Sequence, residues 1–254
     1  MSLEEKNLKK HFNPLRLLSI HLLIAALVAI LFYDVHQGLF SPLDKGCFRF
    51  LNSLVEKSSF WQNFWAMANH KMADWLEDII FIGFFYWQIR VSPKEERIRK
   101  TAEILFLIFY SAFIILIANE LLFRVILHIK RDSPTLVMDT FTNLSEKITW
   151  LKVKFKSPKS FPGDHATTAL IFMASFVYLA RKHLHILCSA ICYGIFLCLP
   201  RLIAGAHWLS DILVGSGSIM ALFFAWAFYT PLAEKSIQKL ENALLYLRGR
   251  SHAK

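Results

Sequence analysis

Long apolar runs, separated by short joints rich in lysine and arginine, set the pattern of this 254-residue chain. The runs cover residues 15–33, 75–91, 102–126, 166–180, 184–199 and 212–229. A helix that crosses a bilayer core needs about 20 mostly apolar residues, and these runs meet or approach that length. The second carries Glu77 and Asp78 near its start, and the fourth and fifth are short and joined tightly at residues 181–183, as in a helical hairpin. The pattern predicts an all-α fold: a polytopic membrane helical bundle of about six transmembrane helices, forming a single domain over residues 1–254. Composition agrees, with 55% of residues apolar and only 19% charged. Soluble domains are usually less apolar and carry roughly a quarter charged residues.

Charge adds an orientation. Lys6, Lys9, Lys10 and Arg16 precede the first run, and Arg90, Lys94, Arg97, Arg99 and Lys100 follow the second. Arg181 and Lys182 join the fourth and fifth, while Lys235, Lys239, Arg248, Arg250 and Lys254 fill the tail. Six spans place all of these on one side, which the positive-inside rule makes the cytoplasm. Residues 34–74, 127–165 and 201–207 then face outward. The middle segment carries Lys130, Arg131, Lys147, Lys152, Lys154, Lys156 and Lys159. Long loops weigh little in orientation, and an anionic ligand gives these cations a purpose. The net charge of +10 suits helix anchoring and anionic lipid, not nucleic acid, because no soluble domain carries a basic stripe. The four cysteines form no CxxC pair, so neither a zinc ribbon nor a disulfide framework is expected. The first run is long and lacks a small-residue cleavage site, so no cleavable signal peptide is expected.

Candidate chemistry falls into three polar clusters, all on the predicted outer side: residues 130–134, residues 160–165 and residues 200–211. His207 and Asp211 are four apart, which on a helix puts them on one face. A carboxylate on one ring nitrogen fixes the imidazole tautomer and aims the other nitrogen outward, as a nucleophile or base requires. Arg201, across a turn containing Gly205, has the planar fork that matches two phosphate oxygens. Pro162, Gly163, Asp164 and His165 open the fourth run, where helix-start N–H groups favour an anion. Each residue also has a plainer role: Asp164 as a helix cap, Arg201 as a headgroup anchor, His207 and Asp211 as a stabilising pair. A metal site of His165, His207 and Asp211 is an alternative, as is a transport pathway, although no internal repeat is visible. Glu77, Asp78, Asn119 and Glu120 sit at or within apolar runs and call for partners, with Arg124 a candidate.

At these residues the sequence resembles the type 2 phosphatidic acid phosphatase superfamily, whose motifs are Lys-x6-Arg-Pro, Pro-Ser-Gly-His and Ser-Arg-x5-His-x3-Asp. Arg201, His207 and Asp211 reproduce the third spacing, with Pro200 for its serine. Residues 162–165 keep proline and histidine but carry Gly163 and Asp164 between them. Arg131 lacks the following proline, and Arg124 preserves the basic-x6-Arg spacing. Together with residues 130–136, 200–208, 211–216 and 230–232, these variants are similar to the branch of lipid A 1-diphosphate synthases. The resemblance implies a bacterial inner-membrane phosphotransferase with its active site facing the periplasm. Its donor would be a polyprenyl diphosphate (undecaprenyl diphosphate), its acceptor a lipid phosphate (lipid A 1-phosphate), and it would use no metal or other cofactor. His207 would be the nucleophile, Asp211 its orienting partner, and His165 the acid that protonates the leaving group. Arg201, Arg131, Lys130 and the backbone N–H of Gly163 or Asp164 would hold phosphate oxygens. A phosphatase acting on undecaprenyl diphosphate or phosphatidylglycerol phosphate would share every step up to the phosphoenzyme.

Overall fold

The computed structural model describes residues 12–37 and 40–252. Every regular element among them is helical. The first, α1 (Pro14–Gln37), is mostly apolar over Pro14–Leu31. An amphipathic helix, α2 (Ser41–Glu56), follows and buries Asp44, Phe48, Asn52 and Val55 along one stripe. At the start of α3 (Ser59–Ala68), the Ser58 hydroxyl accepts from the Trp61 N–H, satisfying one of the orphan donors of a first turn. Its Trp65 ring lies 6.0 Å from Phe196. Next come α4 (Lys71–Val91), and α5 (Arg97–Ile115) with a π-helical extension over Leu116–Ile126.

A long connection holds two single turns, α6 (Pro134–Val137) and α7 (Leu144–Lys147). Then α8 (Asp164–Leu179) and α9 (Leu184–Ile203) form the expected hairpin. After a turn, a π-helical segment Asp211–Ser216 leads into α10 (Gly217–Phe228), and α11 (Leu232–His252) runs back along α5.

The core lies between α5, α8, α10 and α11, where Leu107, Phe176, Ile219, Phe223 and Ile237 are almost fully buried. Much of the outer surface is apolar instead: Leu22, Leu23, Ile79, Ile82, Phe109 and Phe113 are all exposed. A helix bundle with an apolar outer surface is what a bilayer selects, because backbone polar groups there must be satisfied within each helix. Four segments are long and apolar enough to cross: Pro14–Leu31, Lys94–Ile126, Leu184–Ile203 and Asp211–Phe228. The other two expected spans fall short for identifiable reasons. Lys71, Asp74, Glu77 and Asp78 charge the first two turns of α4. The 16 residues of α8 extend only about 24 Å, against about 30 Å of hydrocarbon. A membrane bundle stands, with four segments of full spanning character.

Candidate active site

The three polar clusters meet at one end of the bundle, at the start of α8. Two loop segments are laid side by side there, with Ser160 N donating to Arg131 O at 2.8 Å and Ser133 N to Ser157 O at 2.9 Å. Gly163 precedes the first turn of α8, and its carbonyl accepts from Thr167 N, Thr167 Oγ1 and Ser216 Oγ. That fixes the helix start, whose first-turn N–H groups have no intrahelical acceptor.

His207 lies against this corner. Its Nδ1 is 2.6 Å from the Ser160 carbonyl. A carbonyl only accepts, so Nδ1 carries the proton and Nε2 keeps its lone pair. Asp211 was expected to hold this ring, but its nearest oxygen is 3.9 Å from Nδ1, beyond hydrogen-bond length. The reason is local. Residues 204–208 form a turn outside any helix, so the i,i+4 relation of a helix face does not apply. Asp211 instead accepts from Trp208 N at 2.8 Å and from Arg131 Nη1 at 2.7 Å. Burial pushes the His207 imidazole down to about 4, with the charges of Lys154 and Arg201 acting in the same direction. A neutral ring is the nucleophilic form.

The turn that brings Arg201 and His207 to one place depends on Gly205. Its φ is +77°, and a Cβ there would stand 2.5 Å from Thr135 Cγ2 and 2.7 Å from Phe48 Cε2. Only glycine adopts this conformation without strain.

Arg201 is buried and well anchored. Its Nη1 donates to Asn69 Oδ1 at 2.6 Å and to Asn69 O at 3.2 Å, while Nη2 is 3.0 Å from His165 Nε2. A guanidinium only donates, so His165 Nε2 acts here as the acceptor of a neutral ring. Burial, then Arg201, lowers the His165 pKa below its ordinary value. Asp74 Oδ1 stands 3.8 Å from His165 Nδ1 and 4.0 Å from Arg201 Nη2. A polar cavity of about 540 Å³ opens beside Arg201, lined also by Asn69, His70, Asp74, Lys152, Lys154 and Lys156. Burial followed by repulsion from Arg201 lowers the pKa of Lys154. The cavity thus gathers Lys152, Lys154, Lys156 and Arg201 around one space.

The remaining expected ligands are placed differently. Arg131 has both terminal nitrogens engaged within the fold: Nη1 on Asp211 and Ser210, Nη2 on Asp44 at 2.7 Å. Its guanidinium also lies over the Trp208 ring. Arg131 is therefore a half-buried tie between two carboxylates, with both terminal nitrogens already engaged. Lys130 is exposed next to it. Asp164 is clamped by Arg124 Nη2, at 2.8 Å to each oxygen, and by Asn119 Nδ2 at 2.8 Å, while Glu120 pairs with Arg124. Arg124 and Asn119 thus find their partner in the residue before His165.

Sequence reasoning missed Asn69, Asp74 and Asp44, and left Lys154 undistinguished among seven cations. Asp44 carried a signal: it shares a stripe with Phe48, Asn52 and Val55, so it had to be buried and partnered. A metal site of His165, His207 and Asp211 is not assembled. Among the described residues, the group whose ligand atoms converge is Asp74, Glu77 and His165, and Arg201 already brings its positive charge to that corner.

Comparison with known proteins gives the family. The PAP2 superfamily matches residues 104–236, a stretch that contains Arg124, Arg131, His165, Arg201, His207 and Asp211. The Lipid A 1-diphosphate synthase of Escherichia coli (strain K12) is 30% identical over 219 residues, covering 84% of this chain and 86% of the relative. No solved structure matches the chain significantly. Sequence match, helical membrane architecture and the meeting of the three polar clusters lead to one assignment: the chain belongs to the PAP2 superfamily and is a membrane enzyme of the phosphatase and phosphotransferase kind.

Proposed function

We propose that this enzyme moves the terminal phosphate of undecaprenyl diphosphate to lipid A 1-phosphate through a phosphohistidine at His207, at the periplasmic face of a bacterial inner membrane. The observation that carries the reading is the His207 Nδ1 contact with the Ser160 carbonyl, beside an Arg201 guanidinium that reaches His165. One ring is held neutral with a free lone pair, and a second sits where a leaving group can take its proton. The relative's name supplies the acceptor class. An apolar groove of about 590 Å³, lined by Phe64, Met67, Leu76, Ile80 and Phe196, shares His70 with the polar cavity. It supports a donor with a long hydrocarbon chain.

In the first step His207 Nε2 attacks the terminal phosphorus. The bridging P–O bond breaks, its electron pair leaves on the lipid-bearing phosphate, and His165 protonates that oxygen. Arg201 and Lys154 hold the nonbridging oxygens, where charge accumulates in the transition state, and the first-turn N–H groups of α8 add to them. A bound phosphate draws Arg201 Nη2 away from His165 Nε2 and favours the protonated ring. In the second step an acceptor phosphate oxygen bonds to phosphorus, the P–N bond breaks, and its electron pair returns to His207. Any proton on the acceptor oxygen passes to His165. Asp211 acts from 3.9 Å as a field that favours the positively charged phosphohistidine ring.

Purified protein incubated with terminally 32P-labelled undecaprenyl diphosphate tests the reading. The expected result is an acid-labile, alkali-stable labelled protein whose label passes to lipid A when that acceptor is added. Label recovered only as free phosphate, with or without lipid A, removes the transfer reading and leaves a phosphatase.

The same scheme fixes a pH profile. His207 must be neutral, a condition met above about 4. His165 must be protonated in the free enzyme, and its pKa lies below the usual ~6.5. For the donor, kcat/KM reports these free-enzyme groups. It is expected to rise with pH through about 4 and to fall before about 6.5 is reached. A profile still rising from pH 6 to 8 removes His165 as the acid.

A further inference from the structure

Each histidine of the site has a carboxylate just beyond hydrogen-bond length of its Nδ1. For His207 it is Asp211 at 3.9 Å, and for His165 it is Asp74 at 3.8 Å. The two carboxylates differ in what holds them. Asp211 is fully buried and accepts from Trp208 N and Arg131 Nη1. Asp74 is half-buried in the first turn of α4, where a helix start favours negative charge. Among the described residues its carboxylate accepts no hydrogen bond, and Arg201 Nη2 stands 4.0 Å away. The charged groups that face His165 divide by sign. Burial disfavours a positive ring, as do Arg201 on α9 and Lys154 on the outer connection, while Asp74 and Asp164 favour it. Glu77, one turn after Asp74, brings a carboxylate oxygen within 4.8 Å of both Asp74 and His165. Asp164 is spent on Arg124, which meets both its oxygens. Glu77 lines the apolar groove, whereas Asp74 lines the polar cavity beside Arg201. Asp74 is thus the untied carboxylate on the cavity side of the ring.

Resting on His165 as the acid of the first step, we propose that Asp74 is the positioning residue that orients this ring and supports its charged form. With Arg201 Nη2 donating to Nε2, the neutral ring carries its proton on Nδ1, on the side of Asp74. A second proton, taken on Nε2 from water, makes the ring positive and sets the carboxylate opposite a full charge. When the leaving lipid phosphate takes the Nε2 proton, the ring returns to its neutral form with Nδ1–H still directed at Asp74. No proton passes to Asp74, which stays ionised throughout. A carboxylate beside an imidazole sets the ring's tautomer and its charge together. What the Ser160 carbonyl does for His207, a side chain does for His165.

The full chain in nanodiscs, given terminally 32P-labelled undecaprenyl diphosphate, allows donor kcat/KM for protein labelling to be followed against pH. An opposite charge close to a titrating group shifts it by about 1–3 units, and less where water screens the pair. Asp74→Asn should therefore move the falling limb, set by His165, down by about 0.5–1 unit. Above that limb the loss is roughly three- to tenfold. The rising limb, set by His207, should stay in place. Asp74→Glu, which keeps the charge, should bring the falling limb most of the way back. Because the carboxylate accepts no hydrogen bond, both variants should unfold at the wild-type temperature. An unmoved falling limb in Asp74→Asn, whatever happens to the rate or the donor KM, overturns the proposal and leaves Asp74 a counter-ion of Arg201. A wild-type profile that still rises from pH 6 to 8 removes His165 as the acid, and the proposal with it. Label that passes only to water removes the lipid A acceptor and leaves the role of Asp74 standing.

Discussion

His207→Ala is expected to lower phosphate transfer by roughly 10⁴-fold or more and to abolish the labelled protein intermediate. Removal of a covalent nucleophile deletes the step on which the rest of the machinery acts, so its loss costs about as much as losing the whole catalytic group. What remains is the binding and charge stabilisation supplied by Arg201, Lys154 and the helix start. The variant should still fold, because the ring gives up one hydrogen bond to the Ser160 carbonyl, worth about 1 kcal/mol net. Steady-state transfer and acid-quench trapping of the intermediate measure the two outcomes. A fall below tenfold, or an intermediate that persists, places the covalent phosphate elsewhere. Asp211→Asn should lower the rate less, since the carboxylate stands 3.9 Å from the ring and the carbonyl fixes the tautomer.

Asp44→Ala should produce the largest loss of stability. Asp44 is 1% exposed. It accepts from Ser210 N at 2.9 Å, Ser210 Oγ at 2.5 Å and Arg131 Nη2 at 2.7 Å. Truncation leaves the half-buried Arg131 with one carboxylate, Asp211, and strands the buried Ser210 N–H. Breaking a buried ion pair from one side typically costs about 3–5 kcal/mol, because the remaining charge is uncompensated. At about 2–4 °C per kcal/mol for a chain of this size, the midpoint of thermal unfolding in detergent should fall by roughly 10 °C. Asp44→Asn keeps the shape and an acceptor, so its loss should be smaller. A shift of less than about 2 °C for the alanine variant means that Asp211 alone neutralises Arg131.

Asp44 and His207 also mark the boundary of what the sequence discloses. Apolar runs state where helices lie, and the spacing of Arg201, His207 and Asp211 carries the resemblance to the superfamily. Contact across the fold is a different matter. Arg131 belongs to the first cluster by position, yet Asp44 on an amphipathic helix and Asp211 engage both its terminal nitrogens. Asp211 is four residues from His207, yet the chain between them is a turn, and a backbone carbonyl from residue 160 does the orienting. A carbonyl is present in every residue and leaves no mark on sequence. Similarly, Asn69 anchors Arg201 with a backbone oxygen and a side-chain oxygen, and nothing near residue 69 points to residue 201. Of the six expected spans, four are long and apolar enough to cross by length and composition, while α8 stops after 16 residues and α4 carries four charged residues in its first eight.

The turn at Gly205 has an evolutionary reading. Phe48 from the amphipathic helix and Thr135 from the outer connection both press on the space that a side chain at 205 would occupy. Replacing the glycine alone therefore fails twice, on backbone conformation and on collision. Divergence at this position requires smaller residues at 48 and 135 together with one that tolerates positive φ. The three positions should thus drift as a set, so a descendant that reshaped its amphipathic helix would inherit the letters of the arginine–histidine motif without the geometry they encode.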